Sequence, residues 1–169
     1  MSRNVEIKAR VINRSLLEAR AKALATEGPF EILQDDTFFT CSTGRLKLRM
    51  FNPSRGELIF YQRANHAGPR ESFYLVSETL QPEVLRESLS LAYGVLGRVE
   101  KHRTLYLINR TRVHLDRVEG LGDFMELEVV LSENDSIDQG NDEASYLMKQ
   151  LGIDQGDLIT GSYLDLLGK

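Results

Sequence analysis

The sequence predicts an α+β fold in which strands predominate and most strands carry one charged and one apolar side. Three observations support that reading. Segment after segment alternates charged and apolar side chains with a period of two, as the residues of a strand do. Helical patterns are short and number two or three, beside about eight strands. The stretch from Val99 to Val130, VEKHRTLYLINRTRVHLDRVEGLGDFMELEVV, reads as three consecutive alternating segments, an antiparallel meander.

The first strand is Asn4 to Ile12, with Asn4, Glu6, Lys8 and Arg10 on one side and Val5, Ile7, Ala9 and Val11 on the other. Ser15 to Ala25 spaces Leu16, Leu17, Ala21 and Leu24 as a helix, capped by Asn13 or Ser15 and ended by Gly28-Pro29. Ile32 to Thr40 alternates less sharply, Gln34, Asp36 and Phe38 against Leu33, Asp35 and Thr37. Arg45 to Met50 (RLKLRM) places Arg45, Lys47 and Arg49 together. The loop Asn52–Gly56 leads into Glu57 to Arg63, with Tyr61 and Arg63 on one face and Gln62 on the other. A mobile connection, Ala64–Arg70, precedes a strand from Phe73 to Leu80 and a helix from Pro82 to Tyr93, where proline suits the first turn.

Within the meander, Lys101 shares a face with Arg103, Arg112 with His114 and Asp116, and Glu126 with Glu128. The second strand ends near Arg117, and Gly120-Leu121-Gly122-Asp123 supplies the turn before the third. Ser132 to Asn141 is a polar surface connection, Ala144 to Leu151 a helix closed by Gly152, and the tail DLITGSYLDLLGK is apolar enough to pack on the domain. No linker or repeat divides the chain, so residues 1–169 are expected to form one domain.

Composition removes several function classes. A net charge of −4 argues against a broad nucleic-acid surface, and no apolar run approaches a membrane span. Cys41 is the one cysteine, so no intrachain disulfide is expected, and a cytoplasmic setting fits. Three scattered histidines make a structural zinc site an unfavoured reading.

Against this acidic background, cations concentrate on particular strand faces, which points to a local anion site. Like charges side by side on a sheet repel by up to about 1 kcal/mol per pair in water. Clustered cations therefore cost stability unless a polyanion offsets them, and clustered carboxylates unless a metal does. Arginine suits phosphate oxygens, and paired carboxylates suit Mg²⁺ or Mn²⁺. If the sheet closes into a barrel, the charged faces line a wet lumen. Periodicity alone leaves closure open.

The chain resembles the CYTH superfamily, the triphosphate tunnel metalloenzymes, which include class IV adenylyl cyclases, thiamine triphosphatases and tripolyphosphatases. The motifs that carry the resemblance are NVEIK, RLKLR, VEKHRTLY, RVHLDRVEGLGDFMELE and GSYLDLL, which span nearly the whole chain, and the meander is most similar to the class IV cyclase branch. The resemblance implies a closed antiparallel β-barrel, or tunnel, of about eight strands with helices packed outside. It also implies divalent metal, Mg²⁺ or Mn²⁺, held by Glu6, Glu126 and Glu128. Lys8, Lys47, Arg49, Arg63, Lys101 and Arg103 match the phosphate-binding cations, with Gln62 an alternative to Arg63 and Arg45 a further candidate. Glu6, Lys101, Arg103 and Asp116, an acid near the reacting phosphate, fall at catalytic positions. Asn4 departs from the family's Glu-x-Glu-x-Lys by replacing its first Glu, which leaves one metal or two open.

The resulting expectation is an enzyme that processes a triphosphate such as ATP, thiamine triphosphate or tripolyphosphate. Hydrolysis stands first and adenylyl cyclisation is the alternative. A binding module that holds polyphosphate without turnover is the rival that Asn4 motivates. Neither nucleic acid nor membrane is an expected partner, and a monomer or homodimer is expected.

Overall fold

The computed structural model describes residues 2–168, and there the alternating segments are strands. They are β1 (Ser2–Arg10), β2 (Glu27–Phe39), β3 (Arg45–Asn52), β4 (Arg55–Arg63), β5 (Arg70–Thr79), β6 (Val95–Ile108), β7 (Thr111–Val118) and β8 (Gly122–Leu131). Four helices accompany them: α1 (Arg14–Leu24), α2 (Pro82–Tyr93), α3 (Ile137–Leu151) and the short α4 (Tyr163–Leu166). All ladders are antiparallel, in the order β1-β5-β4-β3-β2-β6-β7-β8, and β8 pairs back onto β1. The sheet is thus a closed barrel, and every strand has two hydrogen-bonded neighbours.

The barrel is polar inside and apolar outside. Val5, Ile7 and Ala9 of β1, Val113 and Leu115 of β7, and Met125, Leu127 and Val129 of β8 are buried on the outer face. Leu17 and Ala21 of α1 and Ala144, Leu147, Met148 and Leu151 of α3 cover them. Each fully buried aliphatic side chain contributes about 1.5–3 kcal/mol, so the main core lies between this face and these helices, outside the lumen. Because side chains alternate, Glu6 and Lys8 of β1 then point inward by necessity.

Gly140 sets how closely α3 approaches this face. A Cβ built there would lie 2.6 Å from Val5 Cγ2 and 2.9 Å from Leu131 Cδ2. Alanine would gain about 1 kcal/mol of helix propensity, but overpacking a filled core costs about 1–3 kcal/mol. Gly140→Ala is therefore expected to lower the melting temperature slightly and Gly140→Val to lower it by several degrees. A rise in either would show that the helix moves away freely.

At one end of the barrel the inward side chains are themselves apolar. Phe38, Val99, Val118 and Phe124 pack there against Tyr163 and Leu164 of α4. The Phe124 and Tyr163 rings are 5.2 Å apart. The expected packing of the tail is found, and it covers this end.

Several boundaries differ from the sequence expectation. Helix α1 is capped by Asn13, whose side chain accepts from Leu16 N, and ends at Leu24. Gly28-Pro29 lies inside β2, where the register against β6 shifts. There a Cβ on Gly28 would meet Leu105 O at 2.7 Å, so the ladder itself needs the glycine. Helix α3 begins at Ile137 because Ser136 and Gln139 form a reciprocal capping box, which converts much of the expected surface connection to helix. Arg55 and Gly56 already belong to β4, and Arg70 opens β5. Arg70 is 2% exposed and donates to the carbonyls of His66 and Thr160. No helix of the described residues is long and apolar enough to cross a membrane.

Candidate active site

The inward faces enclose a cavity of about 340 Å³. Of the residues expected at the site, Glu6, Lys8, Lys47, Arg49, Arg63, Lys101, Arg103, Glu126 and Glu128 line it. Arg63 faces the lumen, whereas Gln62 is exposed and donates to Thr43 O, so the strand's register favours Arg63. Arg45 instead donates to Ser162 Oγ and Asp165 Oδ2, at 3.0 and 2.8 Å, and ties α4 to β3. Together seven cations and five carboxylates line the cavity, a local excess of positive charge inside an acidic protein.

Register explains the pairing on β1 and β8. Lys8 lies opposite Glu126 and Glu6 opposite Glu128. Lys8 Nζ is 3.0 Å from Glu126 and 4.0 Å from the Tyr163 ring centre. Glu6 accepts from Arg63 Nη1 at 3.0 Å, with Arg70 Nε at 3.5 Å. Burial raises the Glu6 carboxyl above its ordinary value, and Glu128 and Glu126 push it the same way against the pull of Arg63. Burial would raise Glu126 as well, but Lys8 and Arg103 hold it well below the usual carboxylate range.

Asp116 is off the cavity wall, fully buried, with both oxygens engaged. Arg103 donates to Oδ1 and Oδ2 at 2.7 Å each, and the Tyr163 hydroxyl donates to Oδ2 at 2.7 Å. The structure thus places this acid behind Arg103, and Arg103 itself faces the lumen. The same guanidinium reaches Glu126 at 3.4 Å.

Arg112, His114 and Asp36 are lumen residues beyond the expected set. Arg112 pairs with Glu128 at 2.7 Å. His114 Nε2 is 3.4 Å from Glu128 without hydrogen-bond alignment, and both ring nitrogens lack partners. Burial, then the charge of Arg103, lowers the His114 pKa, so its imidazole is neutral at pH 7. Asp36 is the third. Its Oδ1 accepts from Arg49 Nε at 2.8 Å; its Oδ2 accepts from Arg49 Nη2, Lys47 and Lys101 at 2.8, 2.9 and 3.1 Å. Sharing an alternating face with Gln34 was its one sequence signal. Burial and then Arg49 lower Lys47 to about 7, with Asp36 pulling the other way. Burial likewise brings Lys101 down to about 8, again against Asp36.

The fit of a divalent ion can be tested on the donor set. Glu6 and Glu128 are register neighbours, and Glu6 titrates high partly because of the adjacent carboxylates. Beside them Asn4 is 3% exposed, lines the cavity, and leaves its Oδ1 without a partner. These are hard oxygen donors crowded together, which suits Mg²⁺ or Mn²⁺. Among the described residues no three acidic, imidazole or thiol groups form a ready-made cage; each carboxylate is held by cations that an ion would displace.

Comparison with known proteins bears on the family and the fold. The model of the CYTH domain family matches residues 2–163. The protein named adenylate cyclase CyaB from Aeromonas hydrophila is 27% identical over 171 residues, covering 83% of this chain and 90% of that one. The solved structure of PH1012 from Pyrococcus horikoshii OT3 superimposes with a TM-score of 0.85 at 26% identity, over 98% of this chain and 99% of that one. A conserved hypothetical protein from Pyrococcus furiosus shares the fold, with a TM-score of 0.85 at 24% identity, covering 96% and 99% of the two chains.

Proposed function

The chain belongs to the CYTH domain family, and from that premise we propose that it is a divalent-metal-dependent triphosphate phosphohydrolase. The observation that carries the reading is the convergence of seven cations and five carboxylates on one enclosed wall. A triphosphate needs its charge offset in the ground state, and more strongly where charge develops as the bond breaks. Bound at Glu6, Glu126 and Glu128, with Asn4 beside them, Mg²⁺ or Mn²⁺ would neutralise phosphate oxygens. Lys8, Lys47, Arg49, Arg63, Lys101 and Arg103 bind the remaining oxygens and fix the chain of phosphates along the lumen. Asp116 keeps the Arg103 fork aimed. Glu6 or a neighbouring carboxylate accepts the proton of the attacking water. The water oxygen bonds to the terminal phosphorus, and the bridging oxygen leaves with the shortened chain. In this reading residues 1–169 act as one cytoplasmic domain, monomeric or homodimeric, with no nucleic-acid or membrane partner.

A second reading is cyclisation, favoured by the name of the Aeromonas relative. The same cations would hold ATP while its 3′-hydroxyl attacks the α-phosphorus and pyrophosphate leaves. Incubation with Mg²⁺ or Mn²⁺ and ATP, thiamine triphosphate or tripolyphosphate separates the two. Phosphate release without cyclic AMP is expected; cyclic AMP with pyrophosphate would establish the second reading. Tight binding with no product would leave a binding module, and no binding of any triphosphate would overturn all three.

A further inference from the structure

We propose that Asp36 is a positioning residue of the triphosphate cradle: its carboxylate tethers Lys47, Arg49 and Lys101 to one point and so sets where phosphate oxygens are received. The inference rests on the reading of the lumen as a triphosphate site, and it concerns a residue that is an anion inside an anion-binding cavity.

The geometry is that of a hub. Asp36 sits on β2 between β3, which supplies Lys47 and Arg49, and β6, which supplies Lys101. Asp36 is 1% exposed, so its interactions are screened far less than those of a surface pair. Arg49 gives the carboxylate its Nε and one Nη2 hydrogen, and the lysines give one ammonium hydrogen each. Three donors on Arg49 and two on each lysine remain. The tether leaves those donors in fixed directions, which is the preorganisation that charge stabilisation requires.

Asp36 also keeps the cradle charged. Burial and the neighbouring cations, Arg49 above all for Lys47, drive both lysines toward the neutral amine, and Asp36 opposes this. Other groups facing the hub do not replace it. Arg103 adds positive charge, Tyr61 is pushed up to about 12 and is neutral, and Tyr163 stays protonated. Asp116 and Glu126 are engaged by Arg103 and Lys8.

Two opposite outcomes follow from deleting this charge. If Asp36 were only a counter-ion that a triphosphate displaces, Asp36→Asn would tighten anion binding. As a positioning residue it predicts the reverse. The test is titration calorimetry of tripolyphosphate into metal-free protein across the neutral to alkaline range. Wild-type affinity should fall as pH rises through the range where Lys47 and Lys101 lose their protons, about 7 to 8. Asp36→Asn should bind about tenfold more weakly at neutral pH, with that fall moved down by about one pH unit. Unchanged or tighter binding, with the pH profile in place, would overturn the proposal. Should the amide chain fail to fold by circular dichroism, Asp36→Glu serves: the charge is kept and displaced, so affinity should drop while the pH midpoint stays. Wild-type affinity in that variant would equally overturn it. Failure of the wild-type protein to bind tripolyphosphate would instead remove the reading of the lumen on which the proposal stands.

Discussion

Changing Glu126 and Glu128 together to glutamine is expected to lower metal-dependent phosphate release by about three orders of magnitude or more, the scale on which charge placed at a reacting centre acts. The amides keep the shape and hydrogen-bonding reach of the acids but remove two charges from β8. Lys8 and Arg103 lose Glu126, and Arg112 loses Glu128, as counter-charges. The outer core is untouched, because Met125, Leu127 and Val129 point the other way. The double variant should therefore keep its circular dichroism spectrum while losing Mn²⁺ binding, read by electron paramagnetic resonance, and turnover together. Full activity, or undiminished Mn²⁺ binding, would remove both glutamates from the metal site.

The largest stability effect is expected from Asp116→Ala. It strips the buried Arg103 of its two-bonded partner and leaves the Tyr163 hydroxyl without its acceptor. Removing one member of a buried ion pair costs about 3–5 kcal/mol, which for a chain of this size lowers the melting temperature by about 10 °C. The pH dependence has a defined sign. Burial raises the Asp116 carboxyl, but the charge and hydrogen bonds of Arg103, with the charge of Lys101, together bring it below the ordinary 3.8. A carboxyl held low in the folded state contributes stability above its unfolded value and loses it as pH falls through the folded one. The alanine variant should therefore melt lower at neutral pH and show a smaller further loss on acidification below 3.8 than wild type. Equal melting temperatures at neutral pH would mean that the Arg103 clamp does not support the fold.

Much of this was written in local pattern. β1, β3, β7 and β8 are visible because strict alternation assigns every residue to a face, and the lumen residues Glu6, Lys8, Lys47, Arg49, Glu126 and Glu128 fall out of that assignment. Asp36 escapes it because Asp35 and Asp36 are adjacent acids in a strand with blurred alternation. Its partners come from β3 and β6, which are distant in the chain. Arg70 was hidden for another reason: Gly68-Pro69 marks a loop, and only contact with Thr160 far along the chain shows that the next residue is buried. The role of Asp116 depends on the Tyr163 hydroxyl, brought in by the packing of the tail. Closure of the ring follows from β1 pairing with both β5 and β8, and no window of sequence reports such long-range pairing.

The reversed polarity of the barrel separates two sets of demands at single-residue spacing. Along β1, Glu6 and Lys8 answer to whatever occupies the tunnel, while Val5, Ile7 and Ala9 answer to α3 and its neighbours. Substrate preference can therefore drift by exchanging every second residue while the apolar core outside goes unaltered. The opposite holds for insertions: one added residue in β1 or β8 would swap the two sets wholesale, driving carboxylates under the helices and valines into the tunnel. Lineages carrying this architecture should tolerate point changes in the strands far better than changes of strand length.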